Sequence, residues 1–402
     1  SYIPIAEARG FTTHWIKKCR FRGKSFIKFF IIIGHLKMKV NKNTLMFYIN
    51  AIHGGGAERV ILQLAYRFAQ AGYRSILVTS FVDEHEYPVP EGVERVSIEN
   101  EQIIQSRLKR NLSRIKALRA LCKKERPAAL ISFMAEPNFR SILATFGLPT
   151  KCIVSVRNDP EKEYAGRLGR LVGKLLLPMA DGCVFQTKQA RAWFPKRLQK
   201  KAAIIMNQVD GRFFETELSP ERRGIVTAGR LNVQKNQALL IKAYSKIAPK
   251  VQDDLFIYGA GELREKLLAL AVSLGISERV HLPGASGNMP ETLSRARLFV
   301  LPSDYEGMPN ALLEALAMGL PCITTDCPCG GPAMVIDQGR NGWLIPVGDE
   351  TALAARMLWA LRSPERCETV GNAARLRAEA FRPENIFSLW KNYIEGIIAK
   401  RG

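Results

Sequence analysis

Nowhere do the 402 residues stay apolar for the ~18–20 positions that a membrane-spanning helix needs. The eight cysteines include no Cys-x-x-Cys pair, and the tightest spacing, Cys327-Pro-Cys329, is too close for an ordinary zinc knuckle; reduced thiols, as in a cytosolic protein, are the expectation. No stretch repeats at the ~20–50-residue period of a solenoid. The dinucleotide fingerprint G-x-G-x-x-G is missing, and Asp83 is only a loose match for its acidic partner. Acid is also scarce: 37 Asp and Glu face 59 Lys and Arg, a net charge of +22 that solubility does not require and that points to an anionic partner. What the chain does have is 47% apolar residues, enough for two ordinary domains with real cores and against global disorder.

Residues 1–40 stand apart, with nine Lys/Arg and the single acid Glu7. Their apolar run Ser25-Phe-Ile-Lys-Phe-Phe-Ile-Ile-Ile-Gly34 is too short to cross a bilayer and has no small-residue cleavage site after it. It reads either as a basic, aromatic anchor in the headgroup plane or as sequence upstream of a start at Met38.

From Thr44 onward strands alternate with helices. Leu45-Met-Phe-Tyr-Ile49 is continuously apolar, as buried parallel strands are. Ala57 to Ala71 then shows helical spacing. Further strands are expected at Ser75–Ser80, Ala129–Phe133, Cys152–Val156, Gly182–Gln186 and Ala203–Met206. Residues 208–222 break the pattern as a linker. A second series follows at Gly224–Gly229, Leu255–Tyr258, Val280–Leu282, Leu298–Leu301, Cys322–Thr325 and Trp343–Val347. Repeated βα units imply parallel sheets covered on both faces. The expectation is therefore an α/β chain of two Rossmann-like doubly wound domains, 41–212 and 213–382, facing a central cleft. A last helix at 383–402 carries Ile386, Trp390, Tyr393 and Ile397 at helical spacing and could cross back to the first domain.

Five loops at strand ends carry chemistry. In Glu306-Gly-Met-Pro-Asn-Ala-Leu-Leu-Glu314, two carboxylates eight apart span a turn running into a helix. Gly307 permits close backbone approach, and Pro309 suits a first helical turn. A strand, a glycine turn and a helix N-terminus form an anion site, which carboxylates can flank by holding hydroxyls. Gly54-Gly-Gly56-Ala-Glu-Arg59 opens the first helix, either as a plain turn or as a ligand-facing loop. Arg230 and Lys235, in Gly229-Arg-Leu-Asn-Val-Gln-Lys-Asn236, could converge on a diphosphate, or could be solvated loop residues. Gly259-Ala-Gly261-Glu262 and Cys327-Pro-Cys-Gly-Gly-Pro332 are, taken singly, no more than tight turns.

In this order the motifs resemble the retaining glycosyltransferases of family four, whose two-domain fold is called GT-B. The resemblance covers roughly residues 44–400. Val156-Arg-Asn-Asp-Pro160 and Ile131-Ser-Phe-Met134 are similar to bacterial members that add hexosamines to polyprenyl-diphosphate-linked glycans. The resemblance implies that Arg230 and Lys235 bind the donor diphosphate and that Glu314 holds the ribose hydroxyls. It implies that Glu306 holds the donor sugar, with Gly307, Met308, Pro309 and Asn310 reaching phosphate and sugar oxygens. Gly55 and Gly56 would lie under the β-phosphate or sugar, Gly259 and Gly261 would line the nucleotide site, and Gly284 would lie near the base. Many members have a histidine where Arg157 stands here. An arginine there can bind phosphate or acceptor but cannot act as a base; Asp159 beside it is a candidate acceptor contact. No metal or other cofactor is expected, since fixed cations do a divalent ion's work and no Asp-x-Asp sits near a strand end.

The implied reaction moves a hexose or N-acetylhexosamine from a nucleotide-sugar, with UDP as carrier by analogy, to a lipid-linked or polysaccharide glycan. The basic runs Arg107–Arg126 and Lys188–Lys201 then fit an anionic membrane surface, with the protein peripheral on its cytoplasmic face. Two rivals remain at this point. A nucleic-acid binder would explain the charge, but the interleaved aromatics it needs are not evident and no nucleic-acid partner is expected. Another GT-B enzyme, such as a nucleotide-sugar epimerase, would share the donor loops.

Overall fold

A computed structural model describes residues 40–83, 86–99 and 106–400; the expected anchor or upstream segment lies outside them. Two parallel sheets organise the chain. The first has the order β3-β2-β1-β4-β5-β6-β7 and is built from β1 (Asn41–Ile49), β2 (Arg74–Thr79), β3 (Val93–Ser97), β4 (Pro127–Phe133), β5 (Lys151–Val156), β6 (Gly182–Phe185) and β7 (Ala202–Ile204). The second has the order β10-β9-β8-β11-β12-β13, from β8 (Ile225–Ala228), β9 (Leu255–Tyr258), β10 (Val280–Gly284), β11 (Leu298–Leu301), β12 (Cys322–Thr325) and β13 (Trp343–Ile345). All seven residues of β4 are buried, as expected of a strand with helices on both faces.

Five helices matter below: α1 (Gly56–Gln70), α2 (Arg107–Glu125), α3 (Gly166–Leu176), α4 (Asn310–Ala317) and α5 (Pro383–Ala399). The last returns to the first sheet. Trp390 stacks on Phe133 with ring centroids 5.7 Å apart, and Tyr73 donates to Glu395 at 2.7 Å. Its Tyr393 hydroxyl meets the main chain of Cys183, so α5 fastens the chain's end to the first domain.

Two details differ from the sequence expectation. Val93–Ser97 is an edge strand with no fully buried residue, so it lacks the apolar run that betrayed the others. The expected linker is partly folded: Phe213 and Phe214 are buried in the second domain's core. Among the described residues the seven cysteines are free thiols, and no helix is long and apolar enough to cross a membrane.

Both sheets reverse their strand order beside the first strand, between β1 and β4 and between β8 and β11. The crevice outside the strand C-termini at such a reversal is where doubly wound sheets bind ligands. The Gly54–Gly56 turn follows β1, the Arg230–Lys235 loop follows β8 and the Glu306–Asn310 loop follows β11, so both crevices carry chemistry-bearing loops.

Candidate active site

The loop after β11 brings Glu306 into a buried position. Its Oε1 accepts from Ser303 Oγ at 2.7 Å and from the Lys235 ammonium at 2.5 Å. Gln234 Nε2 lies 3.4 Å from the other oxygen. Lys235 ends a short turn that Asn232 closes by accepting from its N–H at 3.2 Å. Thus one strand end supplies the carboxylate and its neighbour supplies the cation. The exposed Arg230 opens the same loop.

Helix α4 starts at this loop. Pro309 is its N-cap, and no side chain caps its first amides. Those N–H groups and the positive end of the helix remain available to an anion. One turn in, the buried Glu314 pairs with Arg59 of α1, across the cleft. Glu314 raises the Arg59 guanidinium above its ordinary value. Asn310 Nδ2 lies 3.4 Å from the carbonyl of Gly56. A Cβ on Gly56 would stand 2.9 Å from that same amide, and one on Gly55 would strike Glu58 at 1.9 Å. Gly56 therefore lets the first helix approach Asn310 at the start of α4, whereas Gly55 makes room for Glu58 of its own helix.

Gly307 closes the other side. A Cβ there would lie 2.5 Å from the Arg157 carbonyl and 2.8 Å from Gln186 Oε1. Met308 is buried in the second domain's core, which anchors the loop. Asn207, at the end of the first domain, donates to the Met308 carbonyl at 3.0 Å and to Asn310 Oδ1 at 2.5 Å. Gly259 and Gly261 sit beneath the Arg230 loop; their Cβ atoms would meet the carbonyl oxygens of Gly229 and Leu231 at 1.9 and 2.4 Å. Gly284, at φ +90°, ends β10 and accepts from the Gly259 N–H at 2.9 Å. The structure thus gathers Glu306, Lys235, Gly307–Asn310, Glu314, Gly55 and Gly56 around one cleft, with Gly259, Gly261 and Gly284 layered behind the Arg230 loop.

Arg157 and Asp159 are engaged within the protein. Arg157 is buried 4.4 Å over the Phe133 ring and donates to Asn207 Oδ1, so it touches the donor loop through Asn207. Burial pulls its guanidinium down to about 9. Asp159 caps a short helix, accepting from the Glu161 N–H at 3.0 Å. Beneath them Glu163 accepts from the Asn158 N–H at 3.2 Å, and burial pushes its carboxyl up to about 7.

Asn207, Gln186, Gln234 and Glu163 join the site without a signal of their own in the sequence. Asn207, Gln186 and Glu163 lie in none of the five loops, and Gln234, though inside the Gly229–Asn236 loop, is an uncharged neighbour of the lysine that marks it. Arg59 was visible in Gly-Gly-Ala-Glu-Arg, but its reach to Glu314, 255 positions away, was not.

Comparison with known proteins agrees with this geometry. Residues 54–211 match the model described as Glycosyltransferase Family 4, and residues 210–377 the model described as Glycosyl transferases group 1. A similar protein is the N-acetylgalactosamine-N,N'-diacetylbacillosaminyl-diphospho-undecaprenol 4-alpha-N-acetylgalactosaminyltransferase of Campylobacter jejuni, 28% identical over 84% of this chain and 95% of its own. A second Campylobacter jejuni protein, a GalNAc-alpha-(1->4)-GalNAc-alpha-(1->3)-diNAcBac-PP-undecaprenol alpha-1,4-N-acetyl-D-galactosaminyltransferase, is 25% identical over 87% and 98%. Among solved structures, Anabaena HepE in complex with UDP-glucose superimposes with a TM-score of 0.75 at 16% identity, over 88% of this chain and 99% of that one. The two matched models meet where the first domain passes into the second and together cover every described strand from β2 to β13, with the cleft between the two sheets; the chain belongs to the family-four glycosyltransferases and has their GT-B fold.

Proposed function

We propose that this enzyme transfers a hexose or N-acetylhexosamine from a UDP-sugar to a polyprenyl-diphosphate-linked glycan, with retention at the anomeric carbon, at the inner face of the cell membrane. The observation that carries the reading is the Lys235–Glu306 pair beside the uncapped N-terminus of α4, with Glu314 one turn further on. Breaking the sugar–phosphate bond leaves positive charge on the sugar ring and negative charge on the departing nucleoside diphosphate. Lys235 and Arg59 pair with Glu306 and Glu314, and the exposed Arg230 adds a further guanidinium at the same strand end for that leaving group. Glu314 suits ribose hydroxyls and Glu306 a sugar hydroxyl, since each is an acceptor-only group when ionised. The lipid-linked acceptor is supported by the named activities of the two Campylobacter jejuni proteins.

The test is UDP release across a panel of nucleotide-sugars with and without polyprenyl-diphosphate glycans. One donor is expected to give acceptor-dependent UDP release, and EDTA is expected to change the rate little, because fixed cations carry the leaving-group charge. Isomerisation of the nucleotide-sugar without acceptor would overturn the transferase reading. Strong EDTA inhibition reversed by Mn²⁺ would overturn metal independence.

A further inference from the structure

Helix α3, Gly-Arg-Leu-Gly-Arg-Leu-Val-Gly-Lys-Leu-Leu, faces the wrong way for a helix in water. Leu168, Leu171 and Leu175 are 73%, 56% and 66% exposed and, at i, i+3 and i+7, form one outward stripe. Its inward face is built from Gly169 and Gly173, with Val172 and Leu176 beside them. A Cβ on Gly169 would stand 3.0 Å from the Tyr164 backbone, and one on Gly173 2.9 Å from the Tyr164 ring. Glycine lets the helix lie down on buried Tyr164, and Leu176 packs against the core at its end, while Leu168, Leu171 and Leu175 point away from the protein. Leu-to-Gly inversion of this kind costs helix propensity and gains no burial, so the stripe requires another explanation.

Three cations, Arg167, Arg170 and Lys174, line one flank of the stripe, and the helix contains no acid. The patch extends beyond α3. Phe146 and Met179, 58% and 49% exposed, line one cavity at the foot of the same helix. Upstream, Lys162 places its ammonium 5.3 Å over the ring of Tyr305, the residue before Glu306, so α3 begins at the rim of the catalytic cleft.

We propose that α3 is an interfacial helix: its leucine stripe enters the headgroup–acyl boundary of an anionic bilayer, and Arg167, Arg170 and Lys174 meet the lipid phosphates. The chemistry favours a bilayer over a protein partner. A bilayer accepts a flat leucine ridge with a basic flank and needs no matching groove, and each basic residue near an anionic surface adds attraction. Docking by α3 would turn the cleft rim toward the leaflet, where a lipid-linked acceptor is presented. The inference rests on the membrane-surface part of the proposed function and names the element responsible.

The test compares the full chain with Leu168→Ser/Leu171→Ser/Leu175→Ser in flotation with phosphatidylglycerol-containing and with pure phosphatidylcholine vesicles. The triple variant is expected to bind anionic vesicles about a hundredfold more weakly, since three apolar side chains no longer leave water. Its UDP affinity, read by calorimetry, is expected to stay unchanged, which also reports an intact fold. Arg167→Gln/Arg170→Gln/Lys174→Gln is expected to lose the preference for anionic over neutral vesicles. Hydrogen exchange in the wild-type chain is expected to slow across 166–176 when vesicles are added. Wild-type-like vesicle binding by the triple serine variant, or slowed exchange that spares 166–176, overturns the proposal. So does a serine variant that breaks a dimer while vesicle binding persists. A wild-type chain that binds vesicles but no UDP would instead overturn the donor reading and leave this one standing.

Discussion

Lys235 and Glu306 are 18% and 6% exposed as side chains, close enough to water for an incoming anion yet sheltered from full screening. Replacing Lys235 with alanine removes the cation paired with Glu306 and leaves that buried carboxylate with Ser303 Oγ and Gln234 Nε2 beside it. Turnover is expected to fall about 10²–10³-fold for Lys235→Ala, measured as UDP release at saturating donor. Arg230→Ala is expected to act in the same direction, with the stability of the fold unchanged because its side chain is exposed. Glu163 makes a different prediction. Its folded carboxyl titrates near 7 against an ordinary 4.5, chiefly because burial disfavours the charged form. Between those values the unfolded chain has released a proton that the folded chain still holds. Stability contributed by this group is therefore complete below pH ~4.5 and declines as pH rises toward 7, by something on the order of 3 kcal/mol. Glu163→Gln, which cannot ionise, is expected to flatten that part of the stability–pH curve in urea titrations; an unchanged slope would place the proton elsewhere.

The turns behind the cleft show how far sequence goes at the level of strands and loops. Gly259-Ala-Gly261 reads from sequence as a glycine turn and nothing more. In the structure the position of Gly259, at φ +138° with its would-be Cβ 1.9 Å from the Gly229 carbonyl, is one that only glycine can fill. Gly259→Ala is expected to cost about 2–3 kcal/mol, through backbone strain plus displacement of the Arg230 loop. Gly284→Ala, at φ +90° but with open space around its Cβ, is expected to cost about 1 kcal/mol. Thermal melts of the two variants separate clash from conformational strain. The buried strands were legible because helices on both faces make their apolar runs continuous. The edge strand Val93–Ser97 was not, because one open edge lets polar residues alternate into it. The donor loop was legible because its chemistry is contiguous from Glu306 to Glu314. The groups that hold it against the first domain come from three separate strand ends, as Arg157, Gln186 and Asn207, and no local pattern joins them. The leucine stripe of α3 is equally hidden in the sequence, since glycine at regular spacing reads as a weak helix and only the fold sets Gly169 and Gly173 against Tyr164.

Contacts between the two domains concentrate on the chemistry. Arg59 meets Glu314, Asn207 bridges to Met308 and Asn310, and the Cys329 thiol lies 3.4 Å from the Thr187 hydroxyl. Because the cleft is closed through Glu314 and the loop before α4, whatever binds Glu314 or the α4 amides also changes what holds the domains together. Gly307 is where this coupling can be broken with least disturbance. Its outward face meets the first domain: a methyl group added there would stand 2.5 Å from the Arg157 carbonyl and 2.8 Å from Gln186, and its φ is not among the positive ones. Alanine therefore fits the second domain's own backbone but not the closed cleft. Gly307→Ala is expected to hold the domains apart while leaving each sheet intact. Small-angle scattering should show a larger radius of gyration than wild type, and thermal unfolding should shift little. Turnover should fall at least tenfold, since a misplacement of about 1 Å in a reacting group already costs on that order or more. UDP affinity should fall less, because Lys235, Glu314 and the α4 amides all belong to the second domain. If scattering and turnover both match wild type, Gly307 does not face the first domain during catalysis, and the closed cleft is not the working arrangement.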